Sequence, residues 1–322
     1  MPRIFDLAGK RVFVAGHRGL VGSAIIRRLD ETDADVITAT RLELDLRDQA
    51  ATKRFLKATT PDAIIIAAAV VGGILANSSY PVDFLNDNLL IESNLISGAH
   101  DCGIDRVLFL GSSCIYPREA QQPMLEDALL TGPLEPTNQW YAIAKIAGIM
   151  LCRAYRAQYG RSYVSAMPTN LYGPGDNFDL NASHVIPALM RKIDQANREG
   201  QSTVEIWGSG TPLREFMHVD DLADALIYLL ESYDEAQHIN VGSGEEVTIA
   251  ELAGLLAEVI GYRGELVFDS SRPDGPPRKA MDCTRLSALG WKPKYDLRSG
   301  LEQTYHWYQD ELDRGTVRMA HA

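Results

Sequence analysis

The fold is predicted from one stretch near the start of the chain, Lys10-Arg-Val-Phe-Val-Ala-Gly-His-Arg-Gly-Leu-Val-Gly22. The part up to Ala15 predicts a short buried strand, and the periodic segment Leu20 to Leu29 predicts a helix. Between them the glycines are spaced G-x-x-G-x-x-G. In the order strand, glycine turn, helix, such spacing is typical of a dinucleotide-binding unit. We therefore predict an α/β fold, a Rossmann doubly wound parallel sheet.

Each glycine of this turn has a predicted task. Gly16 allows the tight turn, Gly19 lets a pyrophosphate approach backbone N–H groups, and Gly22 lets helix and strand pack closely. The N-terminus of the helix adds partial positive charge for the phosphates. The alternative interpretation is a plain turn that contains three glycines and binds no ligand.

The end of the second predicted strand, 34–38, indicates which cofactor is bound. An NAD site needs a carboxylate there for the ribose 2′-OH, whereas a 2′-phosphate is repelled by a carboxylate and attracted by Arg. No acid stands at 38–41, while Arg41 does, and Arg18 lies in the glycine turn. We therefore predict NADP(H), with solvated surface arginines as the alternative.

Strands and helices continue to alternate along the first half of the chain, and the alternation then loosens. A third predicted strand, 63–69, is apolar throughout, as expected for a strand covered on both faces, and further strands are predicted at 106–110 and 163–167. One helical stretch runs from about Pro81 to His100. We predict an NADP-binding domain over 1–172, to which 215–242 returns, and a smaller C-terminal substrate-binding lobe formed mainly by 173–214 and 243–322.

Two polar segments carry candidate chemistry. Gly111-Ser-Ser-Cys-Ile-Tyr-Pro117 places hydroxyls, a thiol and a phenol just past a strand, where ligands lie in open α/β sheets. It could equally be an ordinary strand exit. Tyr141-Ala-Ile-Ala-Lys145 puts a phenol and an ammonium on one helical face, and the ammonium favours the phenolate. Behind a dinucleotide motif, this spacing predicts a catalytic pair.

Composition and charge argue against several classes of protein. At 46% hydrophobic and 23% charged, the 322 residues are typical of a soluble globular protein. The net charge of -12 argues against a nucleic-acid binder, which needs clustered Lys and Arg. The longest apolar run, 63–76, is shorter than the ~20 residues that span a bilayer. Four cysteines without metal-type pairing and a first segment without a secretory pattern predict a cytoplasmic protein that binds neither metal nor membrane.

The chain resembles the extended short-chain dehydrogenase/reductases that act on nucleotide sugars, on the Gly16/Gly19/Gly22 turn and on Ser112, Tyr141 and Lys145. A finer resemblance, to the epimerase-reductases of that family, rests on longer segments. These are Gly16-His-Arg-Gly19, Val70-Val-Gly-Gly-Ile-Leu-Ala-Asn77, Gly111-Ser-Ser-Cys-Ile-Tyr-Pro117, Glu135-Pro-Thr-Asn138, Tyr141-Ala-Ile-Ala-Lys-Ile-Ala-Gly148, Met167-Pro-Thr-Asn-Leu-Tyr-Gly-Pro174, Ser183-His-Val-Ile-Pro187 and Trp207-Gly-Ser-Gly-Thr-Pro-Leu-Arg-Glu-Phe216.

The resemblance implies a two-stage reaction on a GDP-bound 4-keto-6-deoxy sugar. Cys114 and His184 are implied as the acid/base pair that inverts C3 and C5, and their ordinary pKa values of ~8.5 and ~6.5 bracket neutral pH. NADPH then reduces C4 while Tyr141 protonates the oxygen, Lys145 holds the nicotinamide ribose and lowers the pKa of Tyr141, and Ser112 bonds to the carbonyl. Since residues i and i+2 share a face of extended chain, Ser112 and Cys114 are expected to meet one sugar ring.

The remaining site residues and the partners are implied in the same way. Cofactor binding is implied for Gly16, His17, Arg18, Gly19, Leu20, Val21, Gly22, Arg41, Asp45, Leu46, Leu110, Gly111, Ser112, Tyr141, Lys145, Pro168, Asn170, Leu171 and His184. Substrate binding is implied for Ser113, Lys192, Trp207, Arg214 and Asp274. Ala39 stands where the family often has a second Arg, which softens the preference for NADP. A homodimer is implied through helices near 81–100 and 138–160.

Two other functions stay open at this point. One is another nucleotide-sugar 4-epimerase, 4-reductase or 4,6-dehydratase of the same fold. The epimerases and dehydratases need an acid after the second strand, and the dehydratases have Asp-Glu where this chain has Ser113-Cys114. The other is a non-catalytic NADP(H)-binding regulator, which would have no use for an intact Ser, Tyr and Lys set. Without the resemblance, Cys114 would be interpreted as a small core thiol.

Overall fold

The structure, a computed structural model, describes residues 3–180, 183–272 and 274–319, without the side chains of residues 74 and 75. Its strands are β1 (Arg11–Ala15), β2 (Asp35–Ile37), β3 (Ala63–Ile66), β4 (Arg106–Leu110), β5 (Ser162–Pro168), β6 (Asn170–Tyr172), β7 (Thr203–Trp207), β8 (Leu213–His218), β9 (Ile239–Val241), β10 (Glu246–Thr248), β11 (Glu265–Asp269) and β12 (Arg278–Lys279). Its helices are α1 (Leu20–Leu29), α2 (Gln49–Thr59), α3 (Ile74–Ser79), α4 (Asn88–Asp101), α5 (Gln139–Tyr159), α6 (Val185–Glu199), α7 (Val219–Ser232), α8 (Ile249–Ile260), α9 (Thr284–Ala288) and α10 (Leu297–Arg314).

Six of the strands form a parallel sheet in the order β2-β1-β3-β4-β5-β9. Every residue of β3 and β4 is buried, because helices cover both faces of the sheet. One hydrophobic cluster joins the sheet to α1 and α7, and a second joins it to α2, α4 and α5. The predicted fold class, a doubly wound parallel sheet, is confirmed. Parallel order also means that the loops after β1, β4 and β5 open at one edge of the sheet.

The other strands form two small sheets beyond that edge. β8 lies between β10 and β12 and also pairs with β6, while β7 pairs with β11. A third hydrophobic cluster packs these strands against α6, α8 and α10. Residues 170–172 therefore pair with 216–218 outside the six-stranded sheet. Both segments fall within the predicted NADP-binding segments 1–172 and 215–242, and where the lobes divide stays a prediction.

Two elements differ from their predicted form. The third strand ends at Ile66, before the expected Ala69, because its partner β1 ends opposite it at Ala15. The helical stretch from Pro81 contains a π-helical segment, Asp83–Asp87, before α4 begins. The buried Asn88 side chain donates to the Phe84 carbonyl at 2.7 Å. Extra side-chain bonds of this kind accompany wide turns in helices.

No helix within 3–180, 183–272 or 274–319 is both long enough and apolar enough to cross a membrane.

Candidate active site

The turn after β1 brings backbone amides to the carboxyl edge of the sheet. Gly16 has a φ of +87°, and a Cβ there would lie 2.6 Å from the backbone nitrogen of Ala68. A Cβ on Gly22 would lie 2.0 Å from the carbonyl oxygen of Gly16. Gly19 is the N-cap of α1 and makes no side-chain cap, which leaves the first amides of the helix available to an anion. His17, Arg18, Leu20 and Val21 complete this turn.

Two arginines and an unpredicted acid surround the turn after β2. Arg18 and Arg41 are both exposed. Glu43 accepts hydrogen bonds from the N–H and the hydroxyl of Thr40, each at 2.8 Å. These bonds, and then the nearby charge of Arg18, hold the pKa of Glu43 below its ordinary value. A carboxylate therefore lies near Arg18, although none stands at 38–41.

Asp45 and Leu46, predicted to contact the cofactor, are tied to the neighbouring helix. Arg47 binds Asp45 at 2.7 Å and Asp87 at 2.8 Å. Its hydrogen bonds hold the pKa of Asp45 at about 2. The carbonyl of Leu46 accepts from the Asn94 side chain at 2.9 Å. These contacts fix the segment in place, and its contact with a cofactor stays a prediction.

The segment after β4 is a 3₁₀ turn, Ser113–Ile115, and not extended chain. The hydroxyl oxygen of Ser112 accepts from the N–H of Cys114 at 3.4 Å and caps this turn. The premise that Ser112 and Cys114 share a face of extended chain is therefore wrong, because a Ser side chain that bonds to the local backbone favours a turn. The turn nevertheless brings the two side chains together. Ser113, predicted to bind substrate, is only 6% exposed.

Tyr141 and Lys145 lie one turn apart on α5, as their spacing predicts. The Lys145 ammonium lies 5.6 Å from the centre of the Tyr141 ring and 2.9 Å from Oε1 of Glu92. Burial raises the pKa of Tyr141 well above its ordinary value, and the charges of Cys114 and Glu92 raise it further. The expectation that Lys145 leaves Tyr141 with a lowered pKa is wrong, because burial and the charges of Cys114 and Glu92 together raise it.

The charge of Lys279 affects the pKa values of both predicted proton-transfer groups, Cys114 and His184. Burial raises the pKa of the Cys114 thiol and lowers that of His184, and the charge of Lys279 lowers both. His184 is the N-cap of α6, and it is an exposed residue whose ring is partly desolvated by the surrounding protein. At neutral pH both groups are therefore uncharged, a thiol that can donate a proton and an imidazole that can accept one.

Arg214 and Asp274 approach each other at the loop before β12. A Cβ on Gly275 would lie 3.5 Å from the Arg214 guanidinium. Burial lowers the pKa of Arg214, whereas the charge of Asp274 raises it. The Asp274 carboxylate accepts from the N–H and the hydroxyl of Ser209, at 2.6 and 2.8 Å. Asp274 therefore braces the turn after β7, and its contact with a substrate stays a prediction.

Trp207, at the end of β7, is an exposed aromatic surface that carries two cations. Its side chain is 61% exposed. The Lys192 ammonium lies 5.3 Å from the ring centre, and the Arg272 guanidinium lies 4.9 Å from it. Lys192 and Trp207 are both predicted to bind substrate, and the structure places their side chains next to each other. Such contacts at exposed sites are worth only about 0.5–1 kcal/mol each, so an incoming ring can displace them.

The other predicted cofactor residues lie along the carboxyl ends of β4 and β5. Leu110 ends β4. A Cβ on Gly111 would lie 2.3 Å from the sulfur of Met167, so the end of β4 can pack this closely against β5 only with glycine at position 111. Pro168 ends β5. Asn170 donates to the Glu215 carbonyl at 2.8 Å, with Leu171 next to it in β6.

Sequence reasoning missed three charged residues of this cleft: Glu92, Lys279 and Arg272. None of the three belongs to a short sequence motif. Glu92 alone could have been noticed, because it is an acidic residue on the buried face of a predicted helix. Over the described ranges, no cluster of three His, Cys, Asp or Glu residues could hold a metal ion. The predicted site thus contains a thiol, an imidazole, a hydroxyl and a phenol, and their roles in catalysis stay predictions.

Comparison with known proteins gives consistent findings. Residues 12–242 match the NAD dependent epimerase/dehydratase family. The chain is 56% identical over 305 residues to a GDP-L-fucose synthase of Sinorhizobium fredii, covering 95% of this chain and 97% of that protein. It is 52% identical over 318 residues to the GDP-L-fucose synthase of Escherichia coli, covering 96% and 99%. The solved structure of a GDP-L-fucose synthetase from Naegleria fowleri bound to NADP has a TM-score of 0.89 at 28% identity, covering 97% and 98%.

Proposed function

This chain belongs to the NAD dependent epimerase/dehydratase family, and we propose that it converts GDP-4-keto-6-deoxy-D-mannose to GDP-L-fucose. The reaction has two stages, epimerisation at C3 and C5 and then NADPH-dependent reduction at C4. The protein is thus an NADP-dependent oxidoreductase with epimerase activity. Relatives that are 52% and 56% identical over nearly the whole chain and carry the name GDP-L-fucose synthase support this function.

The main structural support for this function is the position of Cys114 beside Ser112 and Tyr141, the groups proposed for the reduction. Cys114 lies against Ser112 and close enough to Tyr141 to affect its pKa. A simple 4-reductase needs a hydroxyl, a phenol and an ammonium, and has no use for a thiol at that point. A thiol next to them favours an enzyme that also moves protons at the carbons flanking the ketone.

NADP(H) fits the residues that line the cofactor side of the cleft. The support is the close backbone packing at Gly16 and Gly22, which fixes the turn and leaves no room for a Cβ, and the uncapped first turn of α1. That turn would hold the diphosphate, Arg18 and Arg41 the 2′-phosphate, and Lys145 the nicotinamide ribose. When bound, NADPH supplies the hydride for C4.

Epimerisation depends on two groups on either side of the sugar ring. The C4 ketone makes the hydrogens at C3 and C5 acidic, so inversion needs one group to remove a proton and another to return one. Cys114 and His184 take these roles. The ammonium of Lys279, which influences both, stabilises the thiolate when it forms and the negative charge that develops on the sugar.

Reduction depends on Ser112 and Tyr141. The Ser112 hydroxyl donates to the C4 carbonyl oxygen, and Tyr141 gives its proton to that oxygen as hydride reaches the carbon. Because the pKa of Tyr141 lies above its ordinary value, the phenol keeps its proton at neutral pH. A protonated phenol is the form that a reduction requires.

The direct test is incubation with GDP-4-keto-6-deoxy-D-mannose and NADPH. We expect one NADPH to be oxidised for each sugar consumed and the product to be GDP-L-fucose by NMR. In D₂O, deuterium should enter at C3 and C5. A product with unchanged C3 and C5 would show a simple 4-reductase, and no NADPH oxidation would reject an oxidoreductase.

Arg18→Ala and Arg41→Ala should each weaken NADPH binding and leave NADH binding unchanged. A charge-assisted hydrogen bond to the 2′-phosphate is worth about 1.5–3 kcal/mol, which corresponds to about 10- to 100-fold in Kd. Titration of NADPH fluorescence measures this, and Arg263→Ala, an exposed arginine of the second lobe, is the matched control. An equal loss of NADH affinity would show that neither arginine reads the phosphate.

We infer that the chain forms a homodimer through α4 and α5. Trp140, Ile143 and Met150 on α5 and Leu90 on α4 are exposed apolar side chains, of the kind that subunit interfaces cover. Light scattering should give twice the mass of the chain, and a mass of one chain would contradict the inference.

All four cysteines are free thiols, which suits the reducing cytoplasm, where we place the protein.

A further inference from the structure

Glu92 is a buried carboxylate that the reactions above do not use. Its side chain and that of Lys145 are each 2% exposed, and Oε1 lies 2.9 Å from the Lys145 ammonium. Apart from this contact, neither carboxylate oxygen has a hydrogen-bond partner among the described residues. Burial of an incompletely bonded carboxylate opposes folding, and packing therefore does not explain its presence.

The surrounding helices leave space for this carboxylate. Asn88 lies one turn before Glu92 on α4, and its side chain is held by Val70 and Phe84. Opposite, on α5, a Cβ on Gly148 would lie 2.4 Å from Cζ of Phe109 and 2.8 Å from Oε2 of Glu92. Glycine is unfavourable inside a helix, yet at this position it leaves room for both the Phe109 ring and the carboxylate.

The charges that face Tyr141 come from three elements. Cys114 faces it from the turn after β4, Glu92 from α4 and Lys145 from its own helix. The π-helical segment contributes only the edge of the Phe84 ring, with centroids 6.4 Å apart. Two further groups lie behind these, Lys279 toward Cys114 and Cys152 toward Glu92. Burial raises the pKa of Glu92, and the ammonium of Lys145 opposes that rise. At 2.9 Å the two groups form an ion pair, so one carboxylate matches the ammonium.

We propose that Glu92 is a positioning residue of the reductase, which holds Lys145 under Tyr141 and offsets the ammonium charge there. An unmatched ammonium at this distance favours the phenolate, and a phenolate has no proton to give to the C4 oxygen. With Glu92 in place, Lys145 can hold a cofactor ribose without ionising the phenol. The inference rests on the function proposed above.

Glu92→Gln keeps the shape of the side chain and removes its charge. Reduction needs the protonated phenol, so the rate falls as pH rises through the pKa of Tyr141. Without the carboxylate this pKa is lower, and we expect the alkaline fall in the single-turnover rate of NADPH oxidation to move to lower pH by about 1 unit or more. Deuterium entry at C3 and C5 should persist at neutral pH, since Cys114 and His184 are unchanged.

A second readout needs neither substrate nor cofactor. The tyrosinate absorbance of Tyr141, obtained by subtracting the titration of Tyr141→Phe in each background, should appear at lower pH in Glu92→Gln. Glu92→Asp, which retains the charge, should restore part of the shift. Glu126→Gln is the matched control, because Glu126 is equally buried and pairs with Arg285 instead.

Unmoved titrations in Glu92→Gln, or a shift to higher pH, would overturn the proposal, and so would the same shift in Glu126→Gln. A role in stability alone would lower the melting temperature and leave both pH profiles in place. If the wild type failed to oxidise NADPH with the keto-sugar, the proposed function would be wrong. The tyrosinate titration would still report whether Glu92 controls the phenol.

Discussion

Tyr141→Phe should all but abolish NADPH oxidation while C3 and C5 of the keto-sugar continue to exchange with solvent. A positioned general acid contributes about 10²–10⁴-fold to a rate, and Phe keeps the ring while removing the proton. Exchange depends on Cys114 and His184, which Phe leaves in place. NADPH absorbance and NMR in D₂O measure the two stages on one sample.

Tyr163→Phe is the matched control for this change. Tyr163 is a buried tyrosine at the opposite end of the sheet, and its hydroxyl donates to the carbonyl of Ile104 at 2.9 Å. Loss of that bond should cost about 1 kcal/mol of stability and leave both stages intact. If Tyr141→Phe still oxidised NADPH at the wild-type rate, the proton would have to come from another group.

Cys114→Ser should slow deuterium entry at C3 and C5 by about 10²–10⁴-fold. Serine has nearly the same size, but its hydroxyl ionises far less readily than a thiol. Hydride transfer should continue, so the product should shift toward a sugar with unchanged C3 and C5. If the thiolate is the base, exchange in the wild type rises with pH, since burial raises the pKa of Cys114.

Two further variants test this prediction, one that should shift the pH dependence of exchange and one control. Lys279→Met removes the charge that draws the thiol toward thiolate, and the rise in exchange should therefore move to higher pH. Cys102→Ser, at the end of α4 and away from the cleft, should change nothing. Exchange at the wild-type rate in Cys114→Ser would leave His184 as the group that removes both protons.

Local spacing accounts for the parts of this site that the sequence predicts. The glycine turn, the buried run of β4 and the Tyr141/Lys145 pair each depend on residues within one or two turns of each other. Their geometry follows from backbone rules that hold in any fold. The conformation after Gly111 was predicted wrongly, because the hydroxyl of Ser112 competes for a backbone N–H and curls the chain.

The remaining parts depend on residues far apart in the chain. Glu92 reaches Lys145 only because α4 and α5 pack together, and Lys279 reaches Cys114 only through the sheet that contains β12. The pKa of Tyr141 is set mainly by the burial that many elements create together. A local sequence pattern does not show how deeply a side chain is buried by distant elements. The i, i+4 spacing of Tyr141 and Lys145 therefore could not predict that the pKa of Tyr141 is raised.

The sixth strand of the main sheet also affects how the chain is made. β5 pairs with β9 through Ala166 and Ile239, and three strands of the small sheets, β6, β7 and β8, lie between them in the chain. During synthesis, β5 therefore remains an open sheet edge until residues 239–241 leave the ribosome. A nascent chain stopped before that point would present this edge to other chains. A truncated chain that ends just after residue 242 should therefore aggregate less than one that ends just before residue 239.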